Sequence, residues 1–295
     1  MSVHKIRNLV LSIAVIIGGL LGFALIGSAY RLERKHVVAA TPVTSPSDSA
    51  SLARGGHLYQ SIGCATCHAS DGGGALYLDA GPIGLAVGTN LTRGRGGVGA
   101  DRTDIDLVRA IRHGVRRDSS SLILMPSEVY VHLTDEDLGA IIGYVRQLRP
   151  VDRELPATHL RLLGRALLST GKLNLLAAPK TPAFADPAGV SPGPTAAYGR
   201  YLADIASCRS CHGSALTGRP MGAPGAPRSS NLTPAGLSGW TERDFFTAMR
   251  EGRRPGGSIL HGIMPWKEFR HMTDDDLSAL WQYLQSVPST PTGGG

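Results

Sequence analysis

Aromatic residues make up only 5% of this 295-residue chain, and charged residues only 18%. Glycine and proline are plentiful instead, at 38 and 19 residues. So little large apolar material is poor material for one big packed core, and small units held partly by something other than side-chain packing are expected. Cysteine is scarcer still: the chain has four, grouped as two C-x-x-C pairs. With none left over, chemistry that needs an additional thiolate is excluded. Neither pair lies in a βαβ pattern, which excludes a thioredoxin-like redox site. The pairs stand 144 residues apart, which argues against one zinc ion gathering both. The net charge of +7 divides into +3 over residues 1–50, 0 over 51–150, +2 over 151–191 and +2 over 192–295. No basic stripe marks either half, so no nucleic-acid partner is expected. Basic flanks beside a lipid surface are the simpler reading.

What is present is a pair of five-residue strings, Cys64-Ala65-Thr66-Cys67-His68 and Cys208-Arg209-Ser210-Cys211-His212. Each is a C-x-x-C-H haem-attachment motif. Two disulfides would leave the histidine after each pair unexplained. The spacing predicts two covalently bound haem c groups, held through Cys64 and Cys67 and through Cys208 and Cys211. His68 and His212 then supply one axial ligand to each iron. Methionine is the expected second ligand. Met125 lies 57 residues after His68, Met264 lies 52 after His212, and both precede proline. A following proline disfavours helix at the methionine and places it on an extended loop. The competitors are Met221, Met249, Met272, His113, His132, His261 and His271. Met249 falls on a helical apolar face, and His132 and His271 read as surface residues. His261 is the strongest rival to Met264.

The motifs belong to an internal repeat whose offset shrinks from 144 to 139 residues along each half. Asn90-Leu91-Thr92 matches Asn231-Leu232-Thr233, Met125-Pro126 matches Met264-Pro265, and Thr134 to Leu138 matches Thr273 to Leu277. Two repeats of this size indicate a duplicated domain rather than a solenoid. Each half reads as three helices: 51–62, 104–113 and 135–148 in the first, 195–207, 241–251 and 274–285 in the second. Thr134 and Thr273 are expected N-caps with an acid three residues on. The Gly- and Pro-rich stretch after each motif reads as a loop around a flat cofactor. Arg112, Arg250, Arg116 and Arg254 also recur and are candidates for pairing with haem propionates.

Leu9 to Ala29 is a run of 21 uncharged residues, about 31 Å of helix and enough to cross a bilayer core. A cleaved signal peptide has a shorter apolar stretch, so residues 1–30 are expected to stay as an anchor. Basic residues flank both ends, so their count does not set the orientation. Covalent haem attachment takes place outside the cytoplasm, which puts everything after residue 30 on the periplasmic side of the cell membrane. The domain plan is an anchor (1–30), a flexible tether (31–50), a first haem domain (51–150), a linker with an amphipathic helix (151–193), a second haem domain (194–288) and a disordered tail (289–295). The linker helix is expected either to pack along a haem domain or to lie on the membrane or a partner.

The pattern resembles class I c-type cytochromes in tandem, and in particular the membrane-bound cytochrome subunits of periplasmic alcohol, aldehyde and sugar dehydrogenases. Ser230 to Pro234, Gly239-Trp240-Thr241, Met264-Pro265-Trp266 and Met272-Thr273-Asp274 carry the resemblance most closely. It implies an all-α fold, His/Met ligation and an electron-relay role beside other electron-transfer proteins, without catalysis by the chain itself. Two departures stand out. Those subunits commonly have three haem domains where this chain has two, and Arg102 stands where the second half has Trp240. The competing class is a dihaem redox enzyme, either peroxidase-like or thiosulfate-oxidising.

Overall fold

Six helices among the described residues begin where an aspartate or threonine side chain (Asp48, Thr103, Thr134, Thr195, Thr241 and Thr273) accepts from an exposed first-turn amide. The computed structural model describes residues 2–182, 190–221 and 227–291. A long helix α1 (Val3–Glu33) is followed by α2 (Ser49–Ser61), α3 (Cys64–His68), strands β1 (Ala75–Asp79) and β2 (Gly84–Gly88), then α4 (Asp104–His113), α5 (Ser127–Tyr130) and α6 (Asp135–Gln147). The linker supplies β3 (His159–Leu160) and α7 (Leu162–Ser169). The second half repeats the helical plan as α8 (Ala196–Ile205), α9 (Cys208–His212), α10 (Glu242–Glu251), α11 (Trp266–Phe269) and α12 (Asp274–Ser286). Thr134 and Thr273 cap α6 and α12 as expected, and Thr103 and Thr241 cap α4 and α10 through full capping boxes.

In each half the first and third long helices cross at a glycine. Gly55 of α2 lies against the carbonyl of Ala140 in α6, and Gly199 of α8 lies against that of Ala279 in α12, so closely that a Cβ would collide. The halves do not pack separately: Leu58, Tyr59, Leu138 and Ile142 share one buried cluster with Tyr198, Leu202, Phe245 and Leu277.

Three expectations are corrected. The all-α reading misses a three-stranded antiparallel sheet in the order β1-β2-β3. It forms because the glycine-rich loop folds into a hairpin whose second strand recruits His159 and Leu160 of the linker. The segment 31–50 is not a free tether. His36 N–H donates to the Ser119 carbonyl at 2.8 Å, Ser45 Oγ donates to Asp104 at 2.7 Å, and Val43 packs on the core. Its backbone lies on α6 at Gly139 and Gly143, where the missing Cβ atoms admit Thr44 and Pro46. The segment expected to be disordered from 289 is held at Thr290. The Thr290 carbonyl accepts from Asn231 Nδ2 at 2.8 Å and Thr233 Oγ1 at 3.0 Å, while 292–295 lie outside the described residues.

Buried polar groups tie the halves together. Asp137, in α6, accepts from Arg54 at 2.9 and 2.8 Å and from Tyr201 of the other half at 2.6 Å. Its repeat mate Asp276, in α12, accepts from Tyr198 at 3.1 Å and pairs with His57 of the first half at 2.7 Å. Arg54 also donates to Tyr198 at 2.8 Å, closing the network. Burial by itself would raise the Asp276 carboxyl. Hydrogen bonds from His57 and Thr273 outweigh burial and hold it at about 2, below the ordinary 3.8. A depressed carboxyl stabilises the fold fully above 3.8 and loses that contribution as pH falls towards about 2. Asp276→Asn is expected to remove about 2 kcal/mol of acid-side pH dependence in denaturant unfolding. An unchanged slope between wild type and variant would contradict this role.

Candidate functional site

Each C-x-x-C-H string forms its own one-turn helix, and both turns are entered and left through unusual backbone. Gly63 and Ser207 precede them at φ 93° and 66°, and Ala69 and Gly213 follow at φ 60° and 85°. Positive φ costs a non-glycine residue about 1–2 kcal/mol, so Ser207 and Ala69 hold a geometry their own chemistry disfavours. The turn thereby projects two thiols and an imidazole from five residues. Among the described residues the four cysteines are free thiols. Burial pushes Cys64 and Cys208 up to about 12, and Cys67 to about 11.

The imidazoles are oriented from behind. His68 Nδ1 donates to the Thr89 carbonyl at 2.8 Å and His212 Nδ1 to the Ser230 carbonyl at 2.7 Å. Among the described residues no hydrogen-bond partner is found for the other ring nitrogen of either histidine. Desolvation lowers both histidines, partly offset by these carbonyl bonds; each ring is thus kept neutral, the form that coordinates metal. Directly after each carbonyl comes the repeated Asn-Leu-Thr. Asn90 is buried, its Oδ1 accepting from Thr92 N–H at 2.9 Å and its Nδ2 donating to the Val151 carbonyl at 2.8 Å. Asn231 accepts from Thr233 N–H at 2.9 Å. The tripeptide therefore pins the carbonyl that aims the histidine. The repeat by itself does not reveal this work, although the recurrence of the tripeptide 22 residues after His68 and 19 after His212 is the available signal.

The methionine loops match in backbone. Pro126 stands at φ −82°, ψ 56° and Pro265 at φ −81°, ψ 49°. The Met125 and Met264 carbonyls each accept from the residue two ahead at 2.9 Å. Both methionines are half-buried and border the core. In the first half, Tyr130 of α5 donates to the Ile62 carbonyl at 3.0 Å and hydrogen-bonds the Cys64 thiol. This joins the methionine loop to the attachment motif. The rival His261 is exposed, and its Nδ1 accepts from Ile263 N–H at 3.2 Å. His132 and His271 are exposed, and Met249 and Met272 are buried core residues. His113 and Met221 are half-buried.

The recurrent arginines do other work. Arg112 is buried and binds Asp135 at 2.7 Å and the Leu133 carbonyl at 2.8 Å. Arg250 binds Asp274 in the same way. These residues brace α4 and α10 against the starts of α6 and α12. Arg116 bonds the Ser121 carbonyl. Arg254 makes main-chain bonds, its N–H donating to the Ser258 carbonyl at 2.8 Å and its carbonyl accepting from Gly257 N–H at 2.9 Å.

The donor set in each half fits a covalently held haem: two unpaired thiols, a neutral imidazole aimed from behind, and a thioether on a non-helical loop. The halves also meet at these sites. Thr66, inside the first motif, donates to Glu268, four residues after Met264, at 3.0 Å. Helix α11 touches α2, and α5 touches α8, so each methionine loop rests on the other half's first helix.

The family model described as cytochrome c oxidase, cbb3-type, subunit III, matches residues 50–145 and 194–284. The fructose dehydrogenase cytochrome subunit of Gluconobacter japonicus is 29% identical over 278 residues, covering 86% of this chain and 56% of that protein. The cytochrome c subunit of the quinone alcohol dehydrogenase of Komagataeibacter europaeus is 29% identical over 303 residues, covering 91% and 62%. The chain thus spans about three fifths of the length of these two relatives. A diheme cytochrome c-type protein of Cereibacter sphaeroides is 26% identical over 298 residues, covering 91% of this chain and 97% of that protein.

Replacing Asn231 by Ala leaves buried partners unsatisfied and is expected to cost about 1–3 kcal/mol. Denaturant unfolding of the haem-loaded protein measures this, and a loss near zero would show that the tripeptide does not support the loop.

Proposed function

The chain belongs to the cbb3-type cytochrome c oxidase subunit III family, and on that premise we propose a membrane-anchored dihaem c-type cytochrome relaying single electrons. The observation that carries the reading is the doubled donor set. Cys64, Cys67, His68 and Met125 in one half correspond to Cys208, Cys211, His212 and Met264 in the other. The proposal divides the chain into two tandem class I cytochrome c domains, residues 51–150 and 194–288. In each, the two cysteines would hold one haem c by thioethers, and the histidine and the methionine would ligate its iron. Haem c, when bound, supplies a one-electron couple, and methionine ligation raises its potential.

The residues of the chain set the conditions for that couple. The Thr89 and Ser230 carbonyls hold the imidazole planes, the prolines after the methionines keep the thioether loops out of helix, and burial keeps both histidines neutral. With a histidine and a methionine both available to ligate each iron, no position would be left for a substrate, which favours a carrier over a peroxidase-like enzyme. The contact between Thr66 and Glu268, and the rest of each methionine loop on the opposite half, support passage of electrons across the pair.

Helix α1 is long, apolar and exposed along nearly all of its length, which supports a single-pass anchor in the cell membrane; covalent haem attachment outside the cytoplasm supports haem domains on the periplasmic side. Relatives named as cytochrome subunits of fructose and alcohol dehydrogenases support a place beside a dehydrogenase's catalytic subunit. In that arrangement this chain passes electrons onward to a further redox protein.

Intact mass and visible spectra of the protein matured in a host that attaches haem c test the reading. The expected mass exceeds that of the polypeptide by two haems, and Met264→Ala loses about half of the methionine–iron charge-transfer absorption and lowers one potential. A mass with fewer than two haems, or an unchanged spectrum in the variant, would contradict the assignment.

A further inference from the structure

The linker helix α7 does not simply join the two halves; it is docked on the membrane anchor. Ser169 Oγ donates to the Ala24 carbonyl at 2.9 Å. Arg165 donates to Ser28 Oγ at 2.7 Å and to the Leu25 carbonyl at 3.1 Å. Gly27 lies against Ser169, and Arg31 lies beside Gly171. On its other side α7 touches the sheet, with Gly164 packed on the Ile83 carbonyl.

The level of this docking along α1 is informative. The uncharged run ends at Ala29, and Ala24 is five residues inside it. At 1.5 Å per residue, Ser169 reaches about 7 Å below the end of the apolar run. That is the depth at which interfacial helices sit, about 5–10 Å into the boundary between headgroups and acyl chains. Tyr30, the residue just past the end of that run, is exposed, as aromatic residues at a bilayer interface are. Arg31, Arg34 and Lys172 are exposed just beyond it, where phosphate headgroups lie. At the start of α7, Leu162 and Leu163 leave 50% and 45% of their surface uncovered. They stand within one turn of Arg165, which grips α1 at Leu25 and Ser28. Side chains at that level meet lipid rather than water. The strap 35–48 is consistent with this placement, because it lies on the first half and draws it close to the end of α1 rather than releasing it.

We propose that α7 is a half-immersed interfacial helix whose Leu162 and Leu163 enter the bilayer beside α1, fixing the first haem domain at the membrane surface. This rests on α1 being a membrane anchor. A lipid surface is favoured over a partner protein because α7 continues the lipid-facing surface of α1 without a gap.

The test uses the full haem-loaded protein in vesicles of phosphatidylcholine and phosphatidylglycerol. The vesicles carry a trace of phospholipid bearing a photoreactive diazirine on its acyl chain, and adducts are mapped by peptide mass spectrometry. Adducts are expected on peptides of α1 and of 162–169. The double variant Leu162→Ser, Leu163→Ser, with its visible spectrum unchanged, is expected to lose those on α7 several-fold and keep those on α1. Adducts on α1 alone in the wild type would overturn the inference and leave the anchor standing, as for a helix that faces water or a partner protein. Adducts on neither would overturn both. Labelling of α7 that the double variant does not reduce would also count against it.

Discussion

His68 and His212 each donate Nδ1–H to the carbonyl preceding an Asn-Leu-Thr tripeptide, and much of each half is arranged to keep that carbonyl still. A single turn of helix bounded by positive-φ residues has little rigidity of its own. Orientation of the ring therefore depends on the loop behind it. That loop is held by Asn90 and Thr92 through Val151 in one half, and by Asn231 and Thr233 through Thr290 in the other. The segment after the last helix of each half is thus part of the support for its histidine. A chain with 5% aromatics cannot supply such rigidity by bulk packing, and buried amide hydrogen bonds supply it instead.

The second constraint is between the halves. Asp137 and Asp276 occupy equivalent places at the starts of α6 and α12, and each bonds its own half's first helix and that of the other half. Buried carboxylates are costly unless fully partnered. Each therefore favours one arrangement of the halves rather than merely adding stability, because a shifted interface strips it of its partner from the other half. An electron relay needs its centres held at a constant separation, and this network, together with the shared apolar core, provides that on the proposed reading.

Much of the helical plan was legible from local chemistry. The helix from Asp104 to His113 was read to the residue, and Thr134 and Thr273 cap as their spacing to the following acids implied. The sheet was not legible, because Gly84-Leu85-Ala86-Val87-Gly88 is too short and glycine-rich to distinguish from a loop. The strap was missed for a different reason. Its Pro/Ser/Thr composition describes a chain with no period of its own, and its place is set by Gly139 and Gly143 on a helix a hundred residues away. The donor residues at the proposed haem sites are assigned by motif and repeat. The interlock of Arg54, His57, Tyr198 and Tyr201 was not legible, since none belongs to a motif and their partners lie 64 to 219 residues away. The propionate reading of Arg112 failed because a repeated arginine carries no mark of whether its partner is a cofactor or a helix terminus.

The central claim is that both irons are saturated from both faces by residues of this chain. Electron paramagnetic resonance of the fully oxidised protein in detergent tests it most directly. The account predicts two low-spin ferric signals that integrate to two spins per chain, with no high-spin component. A high-spin signal amounting to one spin per chain would contradict it, because one iron would then lack its sixth ligand and the protein would carry a site open to reactants.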